Sequence, residues 1–192
     1  LNIREKQKQE TRKLILQKAK ECFIREGFLK TPVSKISIRA QVAHGTIFAH
    51  FKSKDGLILE TIDLEMSEIG KAIEQLLTLS ENVEDILRLY LELIAQKEDF
   101  FSVLARETPF YSLNLRRKLI FRDSVIRSYF FQKISEDNNA MSREEISSAL
   151  NWLFGTINYY LANREMFVQS GSVIEKFSEA ILATFKKIIR EV

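Results

Sequence analysis

The sequence is short of everything that bends or cross-links a chain: of its 192 residues, two are proline, six are glycine and one is cysteine. So few prolines and glycines leave little material for the turns of a sheet or for disordered linkers. A lone cysteine forms no internal disulfide, which fits a reducing, cytoplasmic compartment. Cys22 stands in a helical apolar stripe and reads as a small core residue. Histidine is scarce as well. His44 and His50 are the only two, and Cys22 lies on another helix, so no metal-ligand spacing results. A phosphate loop, a dinucleotide fingerprint and a nucleophile elbow are all missing. Neither a cofactor nor an enzyme activity is expected.

Charge is missing from one long stretch. Residues 146–163 carry none over 18 positions, the lower edge of a membrane-spanning length. Ser147, Ser148, Asn151, Thr156, Asn158 and Asn163 put too many polar groups there for a lipid-facing helix, so no membrane span is expected. The opening residues do not read as a secretory signal, and a chain that begins at Leu1 is expected to have lost residues ahead of it.

What remains is 45% hydrophobic and 29% charged, rich in Leu, Ile, Lys, Glu, Gln and Phe. That is the make-up of a soluble, all-α protein of one large or two small domains. The charge is unevenly placed. Residues 1–55 hold thirteen basic and five acidic side chains, a net of +8, against −5 in the remainder. A basic head on a mildly acidic body points to a polyanionic partner for the head.

Periodicity and caps predict about nine helices. The first covers residues 7–26, with Ile15, Ala19, Cys22 and Phe23 inward and Gly27 at its end. Thr31 is expected to cap a second short helix, with Pro32 in its first position. A tight turn near Gln41 leads to a third at 43–50, and Ser53 caps a long fourth. Further helices are expected over 82–97, 99–106, 113–135, 142–167, where Ser142 and Glu145 make a capping box, and from Ser172 onward.

The stretch VAHGTIFAHFKSKDGL, residues 42–57, is the most specific. Val42, Ile47, Phe48 and Phe51 look like core, while His44, Gly45, Thr46 and His50 make a small, uncharged front, followed by Lys52 and Lys54. Two short helices joined by a tight turn, the second with small polar groups outward, have the sequence form of a helix-turn-helix. Short hydrogen-bonding side chains suit base edges, a glycine lets backbone come close, and lysines neutralise phosphates.

TRKLILQKAKECFIREGF followed by TPVSKISIRAQVAHGTIFAHFKSKDGL resembles the TetR/AcrR family of bacterial transcriptional repressors. Arg12, Ile15, Ala19, Phe23, Gly27, Phe28, Thr31, Val33, Ile36, Ala40, Val42, Gly45, His50, Phe51, Ser53, Lys54 and Leu57 carry the match, over about the first quarter of the chain. The resemblance implies a three-helix helix-turn-helix head, residues 1–52, and a helical body, residues 53–192, that binds an effector and dimerises. It implies a homodimer that represses from a palindromic double-stranded DNA operator and is released by a small effector. The residues it points to for DNA are Thr31, Lys35, Arg39, His44, Gly45, Thr46, His50 and Lys54. His44, Gly45 and Thr46 would face bases, and the Thr31, His50 and Lys54 positions would lie at phosphates. Gln41 stands where the family often has glycine, Ala43 where it has a capping Ser or Thr, and Phe48 where a tyrosine is frequent. These departures remove two phosphate partners and leave an alternative open, a dimeric ligand-binding protein with weakened DNA binding.

The body is rich in aromatics beyond residue 99, which suit an apolar or aromatic effector. The expected pocket residues are Leu89, Leu93, Phe101, Phe121, Val125, Trp152 and Tyr159, with Arg106, Glu107 and Asn158 as polar candidates. A helix without charge on any face is expected to be buried all round, one side against a partner. Leu150, Phe154, Ile157 and Leu161, with Ile181, Phe185 and Ile188 of the last helix, are the expected dimer interface.

Overall fold

The computed structural model describes residues 2–77, 79–80 and 82–190, with backbone only at 122. Among these there are ten α-helices and no strand: α1 Ile3–Glu26, α2 Val33–Arg39, α3 His44–Phe51, α4 Lys54–Leu77, α5 Val83–Gln96, α6 Glu98–Glu107, α7 Leu113–Asp137, α8 Arg143–Ala162, α9 Arg164–Phe167 and α10 Val173–Arg190, with a 3-10 turn, Thr108–Phe110, after α6. No described helix is long and apolar enough to cross a membrane.

The starts follow from side-chain capping, which satisfies N–H groups that the first turn leaves open. Ser53 Oγ accepts from Gly56 N, Asn82 from Asp85 N, and Ser172 Oγ from Glu175 N. Ser142 and Glu145 form the expected reciprocal box. The tenth helix arises because the segment expected to run through Phe167 breaks at Asn163. Its Nδ2 donates to the Tyr159 carbonyl, and Arg164 is drawn away to Glu98, Asp99 and the Gly171 carbonyl. The second helix starts later than expected. Pro32 is its N-cap, without a side-chain bond. Thr31 is fully buried, its hydroxyl donating to the Gly27 carbonyl at 2.6 Å.

One apolar core runs from α1 through α10. Cys22 is fully buried within it, and burial raises its thiol pKa. The residues expected at a dimer interface belong to this core. Leu150, Phe154, Ile157, Leu161, Ile181 and Phe185 are between 1% and 7% exposed within their own subunit, which leaves them no surface for a partner; Ile188 is half-buried. One face of α8 is core, while Ser147, Ser148, Asn151, Asn158 and Tyr159 are exposed. Uncharged side chains at helical spacing fit an internal core as well as a partner's surface.

Two carboxylates inside the core hold the layers together. Glu65 of α4, 2% exposed, accepts from Lys20 of α1 and from Lys97 ahead of α6, each at 2.7 Å. Burial works against the Lys97 ammonium, but hydrogen bonds to Glu65 and Glu68 outweigh it and raise its pKa. Glu98 accepts from Val173 N at 3.0 Å and Ile174 N at 3.1 Å and pairs with Arg164, fastening the start of α10 to α6. Removing one member of a buried ion group strands the others. Lys20 reaches water, so Glu65→Ala is expected to cost about 3 kcal/mol, the low end for such a loss, read as a lower urea midpoint at unchanged slope.

Candidate nucleic-acid interface and ligand cavity

The first three helices make a rigid head. Ile15, Ala19 and Phe23 of α1 pack with Ile36 of α2 and Ile47 and Phe51 of α3, all 3% exposed or less. Arg12 clamps α1 onto the end of α3. It donates to the His50 carbonyl at 2.9 Å, pairs with Glu60 of α4, and lies 4.7 Å above the Phe51 ring.

Two backbone kinks set the direction of α3. Gln41, in the turn after α2, has φ 53°, the left-handed region that suits glycine. Lys52, after α3, has φ 62° and ψ −38°, and Ser53 N donates to the Phe51 carbonyl across it at 2.7 Å. That is a γ-turn with positive φ, a strained form. Such strain persists only where surrounding packing over-determines it.

The front of α3 carries His44, Gly45, Phe48 and Ala49, all exposed, and half-buried Thr46 and His50. Phe48 does not join the core expected for it. It is 38% exposed and packs edge-on against His44, centroids 5.1 Å apart. Ala43 caps α3 without a side-chain hydrogen bond, as its chemistry requires. The His50 pKa is lowered, by burial first and then by the charges of Arg12 and Lys8.

The outlying candidates are engaged within the protein. Thr31 has no exposed surface. Lys35 pairs with Glu26 at 2.5 Å, and Arg39 is half-buried at the end of α2. The Lys54 ammonium donates to the Leu29 carbonyl at 2.7 Å, and burial, partly offset by Glu107, lowers its pKa. Glu107 of α6 accepts from Leu29 N at 2.9 Å. The loop after α1 is thus gripped by an ammonium and a carboxylate. Gly27, at φ 90°, lets Glu107 come close, since a Cβ there would overlap its carboxylate.

In the body, α4 to α8 line an open cavity of about 360 Å³. Ile62, Met66, Tyr90, Ile94, Phe101, Leu104, Ile157 and Leu161 form its apolar floor, and Ile120, Asp123 and Arg127 of α7 with Asn151, Gly155 and Asn158 of α8 are also in its lining. Phe101 is the single member of the expected set that lines it, joined by the polar candidate Asn158. Leu89 and Leu93 are half-buried elsewhere on α5. Phe121 and Tyr159 are 76% and 56% exposed. Val125 borders a separate surface groove with Ile126 and Tyr129. Trp152 stacks on Phe185, centroids 6.5 Å apart. Aromatic type does not tell which side of a helix faces inward. Among the described residues no group of acidic, histidine or cysteine side chains has the arrangement of a metal site.

A family model described as bacterial regulatory proteins, tetR family, matches residues 15–61, from the first core residue of α1 to the second turn of α4. Over this head the chain is similar to the TetR family. Over 104 residues it is 29% identical to an uncharacterized HTH-type transcriptional regulator of Bacillus subtilis, a match covering 53% of this chain and 54% of the relative. It is 26% identical over 128 residues to the fatty acid metabolism regulator protein of Bacillus subtilis, covering 65% of this chain and 64% of that one. The curated matches thus span between half and two thirds of those relatives. The fold as a whole is shared with the transcriptional regulator FadR from Bacillus subtilis, solved in complex with stearoyl-CoA. The TM-score is 0.77 at 20% identity, over 93% of this chain and 98% of that one.

The left-handed turn offers a direct check on how α3 is held. Replacing Gln41 by glycine is expected to raise stability by about 1 kcal/mol, because an L side chain is penalised there and glycine is not. The measurement is a urea titration of both forms, and an unchanged or lower midpoint would mean that the turn is unstrained.

Proposed function

We propose that this chain is a ligand-responsive, DNA-binding transcriptional regulator of the TetR type, a repressor that holds a palindromic operator as a homodimer and releases it when the apolar part of a small effector fills the body. The observation that carries this reading is α3 itself. It is clamped at its back by Arg12 and Phe51 and presents a small, mostly uncharged front from a basic head. A rigid helix whose outward side chains are mostly short, Phe48 apart, is what a major groove admits. We assign the head to residues 1–52 and the body to 53–192. Within the head, His44, Gly45 and Thr46 face bases. His50 faces phosphate, where an anion offsets the charges of Arg12 and Lys8 that add to burial in lowering its pKa. Lys54 acts mainly by positioning the Leu29 loop.

The homodimer uses the outer faces of α8 and α10 rather than their core faces. Ser148, Trp152, Thr156 and Tyr159 on α8, with Ala180, Thr184 and Ile188 on α10, recur at helical spacing and are exposed or half-buried. Small side chains let helices approach and aromatic ones supply buried area. Thr184→Arg is expected to yield a monomer by light scattering, with operator affinity reduced at least tenfold; an intact dimer would place the interface elsewhere.

For the effector, the apolar floor of the cavity supports a long hydrocarbon chain. The FadR relative was solved with stearoyl-CoA, and we take an acyl chain as the effector class here. The reading is tested by selecting bound duplexes from random DNA at near-physiological salt. Enrichment of a palindrome with half-sites about one helical turn apart is the expected result, and Thr46→Ala should relax one position by roughly 1–3 kcal/mol. Retention that is nonspecific and only weakened by salt would contradict it.

A further inference from the structure

We propose that the effector bears a multiply charged phosphate headgroup, seated outside the cavity on the basic turn of α7 formed by Arg116, Arg117 and Lys118. The inference rests on the acyl-chain reading and adds the chemistry of the other end of the ligand.

Ile120, Asp123 and Arg127 of α7 line the cavity. Arg116 lies on the same stripe, four residues before Ile120 and seven before Asp123, at the spacing that stacks side chains on one helix face. The stripe therefore leads from the cavity lining outward to Arg116, and Arg117 and Lys118 fan round the same turn of the helix, about 100° and 200° away from it. All three are exposed, and none makes an ion pair among the described residues. Elsewhere in the body Arg88, Lys97, Arg106, Arg127, Lys133, Arg164, Lys186 and Arg190 are each matched with a carboxylate. Lys71, Arg143 and Lys187 also make no ion pair among the described residues, and Lys54 and Lys176 donate only to the Leu29 and Phe167 carbonyls, but no three of these are adjacent. Three adjacent unmatched cations repel one another, and a polyanion relieves that repulsion.

The cavity wall itself is unsuited to an anion. The Arg127 guanidinium donates to Asp123 at 2.6 Å and to Asn151 at 3.0 Å, and lies 4.5 Å over the Phe154 ring. Its charge is used, and Asp123 would repel a carboxylate arriving beside it. A free fatty acid would have to leave its charge at this point. An acyl chain joined through a long neutral linker to a phosphate group carries the charge past Asp123 to the basic turn. Phe121, four residues beyond Arg117 and 76% exposed, offers that headgroup an aromatic face.

The test is calorimetric titration of the full chain with stearoyl-CoA, stearate and CoA alone, below micellar concentrations, at low and at raised salt. The expected result is that the thioester binds at least tenfold tighter than the free acid at low salt, that the advantage shrinks as salt rises, and that CoA alone binds weakly. In the variant carrying Arg116→Glu, Arg117→Glu and Lys118→Glu the advantage should vanish while stearate binding stays unchanged. Equal affinity for acid and thioester, or a thioester affinity that the triple variant leaves intact, overturns the headgroup site alone. Binding of neither stearate nor its thioester overturns the acyl-chain reading and this proposal with it. The salt comparison needs only the unmodified chain, so the proposal stays falsifiable if the variant folds poorly.

Discussion

The buried carboxylate of Glu65 is the interaction on which the arrangement of this protein turns. A charge at 2% exposure is tolerable only with partners close on both sides, and those partners come from different parts of the fold, Lys20 from α1 and Lys97 from the start of α6. The angle of the head on the body is thereby fixed by a polar contact with short range and defined geometry, where greasy packing alone would tolerate sliding. A second joint lies further along α6, where Glu107 and Lys54 grip the two backbone groups of Leu29. Between them the two joints hold the head at two points.

Cavity and joints share the same helices. Ile62 and Met66 line the cavity on either side of Glu65 along α4, and Leu104 and Thr108 do so around Glu107 on α6. A ligand that displaces either helix within a close-packed core acts on these contacts, because packed interiors transmit strain rather than absorb it. The proposed coupling between effector and DNA thus has a physical route of a few residues. It requires the bound and empty cavities to favour different settings of the joints, since a ligand shifts an equilibrium only by its differential affinity.

Much of the head, and several helix starts of the body, were legible in the sequence, because that information is local. Ser53, Asn82 and Ser142 cap within three residues of themselves, Gly27 ends α1 by its own backbone freedom, and the spacing of Ile36, Ile47 and Phe51 declares one face. Other features depend on distant partners. Thr31 has the chemistry of a cap, but its hydroxyl goes back to Gly27. Lys54 looks like a phosphate ligand, but its amine meets a carbonyl 25 residues away. In the body, stripes such as Leu150, Phe154, Ile157 and Leu161 announce burial without saying whose surface covers them, and that is why the expected interface proved to be internal core. One signal was present and overlooked: Glu65 occupies the stripe of Ile58, Ile62, Ile69 and Ile73, and a carboxylate in an apolar stripe marks a buried ion group.

The most direct test of the account is the affinity of the unmodified chain for its selected operator, measured with and without saturating stearoyl-CoA. The account predicts at least tenfold weaker binding with the ligand present, a coupling of about 1.4 kcal/mol. Operator affinity that does not change while the ligand is demonstrably bound would contradict it, leaving a cavity and a reading head that share a chain without sharing a function.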